Sequence, residues 1–169
     1  VDLILGPSAI KVSNSAITVH NVVSGQQMYD AAHAIFNDVD VAIASAAVAD
    51  YKPATVATEK IKKNVSSMSI ELVKTKDILA SLGEIKKHQY LLGFALETQN
   101  EIENARKKLK KKNLDGIVLN SLNDKGAGFQ TKTNKITFID KEGTATPYEL
   151  KSKAAVSIDI FDKIASQVL

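Results

Sequence analysis

Two groups of charged residues in this chain have the types and spacing to act on a phosphorylated ligand. The stretch "SAAVADYKPATVATEKIKK", residues 45–63, runs from small residues to Asp50, through turn residues, and into Lys60, Lys62 and Lys63. The alanines leave room for a flat ring to approach the backbone. A carboxylate at a strand end can accept hydrogen bonds from a sugar or base, or help hold Mg²⁺. A lysine-rich loop can close over phosphates as a lid, each ammonium serving as a point charge. Each feature also has a plainer reading. Asp50 can cap the turn before "YKP", and an isolated "KIKK" is more often solvated surface.

The second group is "ARKKLKKKN", which carries Lys107, Lys108, Lys110, Lys111 and Lys112. Lys108 and Lys112 are four residues apart and share a helix face, as do Lys107 and Lys111 on the next stripe. Most such lysines are simply solvated. A nucleic-acid surface is disfavoured, because no aromatics are interleaved with the charges. Between the two groups, "VKTKDILA" puts Lys76 and Asp77 at a helix start, where free backbone N–H groups favour an anion; Thr75 or Asp77 as a simple cap is the alternative. His20, His33 and His88 are isolated and lack metal-ligand spacing. Neither G-x-G-x-x-G nor G-x-x-x-x-G-K-[ST] is present, and no G-x-S-x-G elbow occurs.

Strands and helices must bring these residues together. "VDLIL", "AITVH", "VDVAIAS", "SMSIELVK", "YLLGFA" and "DGIVLN" read as strands. "VDVAIAS" is apolar on both faces, as in the middle of a parallel sheet. "VSGQQMYDAAHAIFND" reads as a helix with a Ser24–Gln27 capping box. "KDILASLGEIKK" reads as a short helix with Ile78, Leu79, Leu82 and Ile85 inward. "TQNEIENARKKLKKKN" follows, with Thr98–Glu101 as a second capping box and Ile102, Ala105 and Leu109 inward. "NKITFID" and "ATPYEL" pair as a hairpin across "KEGT", and "AAVSIDIFDKIASQVL" closes the chain as an amphipathic helix. Residues 125–135 are expected to be a mobile loop.

This alternation implies an α/β fold: a Rossmann-like, mostly parallel sheet flanked by helices, with an additional hairpin. Ligands of such sheets bind beyond the carboxyl ends of the strands, here residues 46–50, 94–98 and 120–124. The length of 169 residues fits one domain, with 24% charged and 44% apolar residues and a net charge of +3. There is no cysteine, hence no disulfide or thiolate chemistry, as in a reducing cytoplasm. No apolar run has the length of a membrane span, so neither a membrane nor a nucleic acid is an expected partner. The opening "VDLILGP" reads as a strand rather than a targeting sequence, which suggests a missing upstream segment.

Five motifs in order, "AAVADYKP", "KIKK", "LVKTKDILA", "GFALET" and "KKNLDGIVLN", together with "GAGFQTKTNKITFI", resemble the phosphopantothenoylcysteine synthetase domain of the bifunctional flavoprotein of coenzyme A biosynthesis. The resemblance covers nearly the whole chain. It implies a CTP-dependent ligase in which the carboxylate of 4′-phosphopantothenate attacks CTP to give an acyl-cytidylate, and cysteine then displaces CMP. A carboxylate needs such activation before an amine can attack it, and cations must offset the charge where an anionic acid meets a triphosphate. The resemblance implies that Ala44, Ser45 and Ala46 line the nucleotide site and that Asp50 contacts the nucleoside. Lys60 is then the catalytic lid residue. Lys76, Asp77, Ile78 and Leu79 form the phosphate cradle, Phe94 packs near the nucleotide, and Lys108 and Lys112 reach the phosphates. It also implies Mg²⁺ with the triphosphate, a homodimer through residues 66–73 and 134–148, and a fused or associated flavin-dependent decarboxylase domain.

Two departures stand out. The family usually has proline where this chain has Lys76. The family's amino-terminal segment, with a Gly-Pro-Thr turn and an asparagine used in forming the acyl-cytidylate, is absent, so a catalytically incomplete nucleotide-binding and dimerisation fragment is the alternative.

Overall fold

The computed structural model describes residues 1–62, 66–121, 123 and 131–168. In chain order the elements are β1 (Asp2–Leu5), β2 (Thr18–Asn21), α1 (Gly25–Ile35), a 3₁₀ turn (Phe36–Asp38), β3 (Val41–Ala44), β4 (Tyr51–Pro53), β5 (Leu72–Lys74) and α2 (Ile78–Ile85). They continue with β6 (Tyr90–Glu97), α3 (Glu101–Lys111), β7 (Gly116–Ser121), β8 (Thr133–Asn134), β9 (Ile136–Asp140), β10 (Ala145–Pro147), β11 (Lys151–Ser152) and α4 (Lys153–Val168). They form two compact units. One comprises Val1–Ile35 with Ala46–Ile78; the other comprises Phe36–Ser45 with the chain from Leu79 onward.

In the first unit β1 and β2 run parallel, and β4 pairs antiparallel with β5. The capping signal at α1 is real: the Gln27 amide donates to Ser24 Oγ at 3.2 Å, and Gln27 Oε1 accepts from the Val23 amide at 2.8 Å. The strand expected across "SMSIELVK" is confined to its last residues, Leu72–Lys74. Met68 and Ile70 lie outside it and are exposed, because the partner strand Tyr51–Pro53 offers only three residues to pair with.

The second unit is built on a sheet of order β10-β9-β7-β6-β3, parallel through β3, β6 and β7 and antiparallel through β9 and β10. The mixed α/β architecture agrees with the expected sheet plus hairpin. Within this sheet β3 pairs with β6 alone rather than lying in the middle, and none of its four residues is fully buried; strand order depends on distant partners that an apolar sequence does not specify. The hairpin turns at Gly143, whose φ of +89° suits glycine.

Alternation along the strands sorts the core. Tyr90, Leu92, Val118, Ile136 and Phe138 pack with Val156, Ile160 and Ile164 of α4. On the opposite face Leu91, Ala95, Ile117 and Leu119 are buried, as are Ala105 and Leu109 of α3 and Leu82 of α2. A Cβ at Gly93 would come within 2.6 Å of Leu79 Cδ2 and 2.9 Å of Leu114 Cδ1, so those side chains would have to shift. Two residues expected inward are not. Ile85 and Ile102 are 40% and 42% exposed, Ile85 at the last position of α2 and Ile102 in the first turn of α3.

At the amino-terminal ends of β6 and β7, Asp115 anchors the sheet. Its carboxylate accepts from Lys86 Nζ at 2.7 Å, the Leu91 amide at 2.9 Å and Lys141 Nζ at 3.2 Å. Burial opposes its ionisation, but these donors outweigh burial and hold its pKa below the ordinary value. Burial also raises the neighbouring Tyr90 hydroxyl, with Asp115 adding to the effect.

Candidate nucleotide-binding site

In the first unit, the β4–β5 pairing brings two of the singled-out motifs side by side. Tyr51 lies opposite Lys74. Just beyond that pair the Thr75 amide donates to the Asp50 carbonyl at 2.9 Å, and Thr75 Oγ1 donates to the Ala49 carbonyl at 2.6 Å. Asp50 is therefore latched beside the segment that opens α2, and its carboxylate lies on an exposed residue. A short turn precedes it, closed by the Val48 amide on the Ala46 carbonyl at 3.1 Å. Thr75 thus acts as a latch between motifs rather than only as a helix cap.

Lys76, the residue that departs from the family pattern, holds its ammonium 4.3 Å from the centroid of the Tyr29 ring. The Tyr29 ring in turn lies 4.1 Å from that of His33. A cation over an aromatic face is stabilised without needing an acid. Asp77 and Ile78 follow at the start of α2. Lys60 is exposed, and no described acid pairs with it. Lys63 and Asp124, with most of the 125–135 loop, lie outside the described residues.

The second unit holds the remaining positions. Ala44 ends β3 and pairs with Gly93, and Ser45 follows on the surface. Leu79 packs over Gly93 from α2. Phe94 packs against the cluster under α4, so part of its ring serves the core. Lys108 extends to Glu97 at the end of β6, with Nζ 2.7 Å from Oε1. Lys107 instead pairs with Glu103 on its own helix at 2.7 Å, which lowers the Glu103 pKa. Lys112 caps α3, its amide donating to the Lys108 carbonyl at 3.0 Å, and its carbonyl lies against Gly83.

Sequence reasoning missed a cluster at the carboxyl end of β7. The capping box expected from Thr98 and Glu101 does not form. Asn100 occupies the cap in a left-handed conformation with no side-chain cap bond. Glu101 turns away: its Oε1 accepts from Ser121 Oγ at 2.6 Å and Asn123 Nδ2 at 2.9 Å. A cleft of about 380 Å³ opens there, lined by Glu101, Ser121, Asn123, Lys135 and Thr137 among others. The capping-box spacing hid this cluster, because Glu101 and Ser121 meet only through the β6–β7 pairing.

Residues 1–168 match the family described as the DNA/pantothenate metabolism flavoprotein C-terminal domain, DFP. The chain belongs to this family. Among curated relatives, this DFP chain is 50% identical over 169 residues to a "Cysteine/Cysteine sulfinic acid decarboxylase" from an unknown prokaryotic organism, covering 99% of the chain and 47% of that protein. It is 42% identical over 166 residues to the "Coenzyme A biosynthesis bifunctional protein CoaBC" of Bacillus subtilis (strain 168), covering 98% of the chain and 41% of that protein. The chain therefore spans less than half the length of these relatives. The crystal structure of the C-terminal domain of a CoaBC protein superposes with a TM-score of 0.80 at 38% identity, covering 99% of this chain and 75% of that one. The resemblance carried by the five motifs holds across the whole fold.

No helix among the described residues is long and apolar enough to cross a membrane. Nor do three His, Asp or Glu side chains gather there in a metal-holding group.

Proposed function

We propose that this chain is the ligase domain that joins 4′-phosphopantothenate to cysteine at the expense of CTP, through an acyl-cytidylate, within coenzyme A biosynthesis. The observation that carries this reading is the 42% identity with CoaBC over 98% of the chain. Asp50, Lys76, Asp77, Ile78, Leu79, Phe94, Lys108 and Lys112 serve the nucleotide. Ala44, Ser45 and Ala46 offer backbone to the base and sugar. Lys60 is the catalytic lid cation, whose ammonium offsets charge building between the attacking carboxylate and the departing pyrophosphate. Its exposure, with no acidic partner among the described residues, leaves it available for that task. Mg²⁺ enters as the counter-ion of the triphosphate substrate.

The domain works as a cytoplasmic homodimer associated with a flavin-dependent decarboxylase part. The dimer reading draws support from the exposed apolar side chains Met68, Ile70, Leu72 and Val73, which fall within or beside one of the two segments expected to pair. The relative named for decarboxylation of cysteine or cysteine sulfinic acid favours a second reading, in which the domain serves an enzyme acting on those amino acids without consuming CTP.

Pyrophosphate release by the intact protein separates the readings. It is measured with CTP or ATP, with and without 4′-phosphopantothenate, and with Lys60→Ala. The ligase reading expects release that needs both CTP and the acid and falls at least about 100-fold in the variant. CTP binding without any release would favour the catalytically incomplete fragment. Carbon dioxide from cysteine with no use of CTP would favour the second reading.

A further inference from the structure

The motif "GFALET" carries, at its penultimate position, an acid to which the nucleotide reading gives no task. Glu97 is the last residue of β6, at the carboxyl end of a parallel strand, where ligands of such sheets bind. Its side chain is only 13% exposed. A carboxylate so placed is costly unless it is paired. Its Oε1 is shielded from solvent and lies 2.7 Å from Lys108 Nζ, an ion pair whose geometry makes no hydrogen bond. The other oxygen, Oε2, accepts from Asn104 Nδ2 at 3.4 Å, and that amide also donates to the Gln99 carbonyl at 2.9 Å. Asn104 and Lys108 are one turn apart on α3, so a single strand-end carboxylate grips two successive positions of one helix face.

Among the lysines of "ARKKLKKKN", Lys107 pairs with Glu103, a surface pair within the helix. Lys108 differs, because its acid is fixed in the central sheet. An ammonium has three N–H donors, and the Lys108 side chain remains 46% exposed despite the contact. The head can therefore stay in its ion pair with Glu97 while donating to a second anion. A long, freely rotating side chain loses conformational freedom when it engages a ligand, and holding it in place beforehand reduces that loss.

We propose that Glu97 is a positioning residue that holds the Lys108 ammonium at the strand end, ready to donate to the nucleotide's phosphates. This rests on the nucleotide reading above. Glu97 itself touches no substrate; it acts through Lys108.

The test uses the intact protein and measures CTP binding by calorimetry for wild type, Glu97→Gln, Lys108→Met and the double variant. Steady-state constants for CTP and cysteine are measured alongside. Glu97→Gln is expected to weaken CTP binding about five-fold and to raise KM for CTP, leaving KM for cysteine and the thermal midpoint near wild type. In the Lys108→Met background the same change should have no further effect, since the two residues act as one unit. Should Glu97→Gln fail to fold, Glu97→Asp, which keeps the charge but withdraws it by one methylene, carries the same expectation. Unchanged CTP affinity in either Glu97 variant overturns the proposal, and so does a loss that persists undiminished without the Lys108 ammonium. Failure of the parent reading looks different: wild type itself would not bind CTP, or Lys108→Met would bind it as wild type does, and the positioning role falls with it.

Discussion

Replacing Asp115 by asparagine tests whether the anchor at the foot of the central sheet holds the fold together. The change preserves size and leaves an oxygen to accept from the Leu91 amide, but removes the charge that faces Lys86 at 2.7 Å. The Lys86 side chain is 8% exposed and that of Asp115 is 13% exposed, so the ammonium would be left buried without its counter-charge. Removing one partner of a fully buried pair costs about 3–5 kcal/mol. Solvent reaches this pair from the side of Lys141, which is 62% exposed and contributes little itself. The lower end, about 3 kcal/mol, is therefore expected, which in a chain of this size lowers the thermal midpoint by about 6–12 °C. Circular dichroism melts at neutral pH read this directly. Adding Lys86→Met to Asp115→Asn should recover at least half of the loss, because no charge is then stranded. A midpoint for Asp115→Asn within about 2 °C of wild type, or no recovery in the double variant, would refute the reasoning. Acid titration gives a second check. The folded pKa of Asp115 lies below its ordinary value of 3.8, so its stabilisation is complete above that value and disappears as pH falls through the folded pKa. The stability difference between wild type and Asp115→Asn should accordingly shrink below about pH 4.

Gly83→Ala should be destabilising although alanine is the better helix former. The added Cβ would fall 1.9 Å from the Lys112 carbonyl oxygen, a backbone atom that cannot rotate away, and the Asn113 Nδ2 bond to the Gly83 carbonyl at 2.9 Å would be strained as well. A net loss of about 1–3 kcal/mol in urea unfolding is expected, and a gain in stability would contradict the close approach. Thr75→Val removes the hydroxyl that reaches the Ala49 carbonyl and should cost about 1 kcal/mol. If the latch holds Asp50 for the nucleotide, CTP affinity should drop in the same variant, and calorimetry showing an unchanged affinity would separate the latch from the site.

Local periodicity carried much of this fold. The Ser24–Gln27 cap, the hairpin around Gly143, and α3 with Ala105 and Leu109 inward all depend on interactions within a few residues, and these follow the pattern of residue types. The same local rule misread Glu101, since a Thr98–Glu101 spacing cannot reveal that Ser121 waits at the end of the next strand, with Asn123 just beyond it. Ile85 and Ile102 failed for a related reason: they belong to the inward stripe by spacing, yet each sits at a helix end.

What the sequence determined by itself was the alternation of strands and helices, the family to which the chain belongs, and the positions at which to look for a nucleotide. What only the tertiary structure decided was which of those positions meet: Thr75 with Asp50, Glu97 with Lys108, Glu101 with Ser121, and Lys76 with the ring of Tyr29 rather than with an acid. The division has a physical cause. Propensity, capping and turn chemistry act over one or two turns of chain, whereas strand pairing and helix packing join residues through contacts that no spacing along the chain encodes.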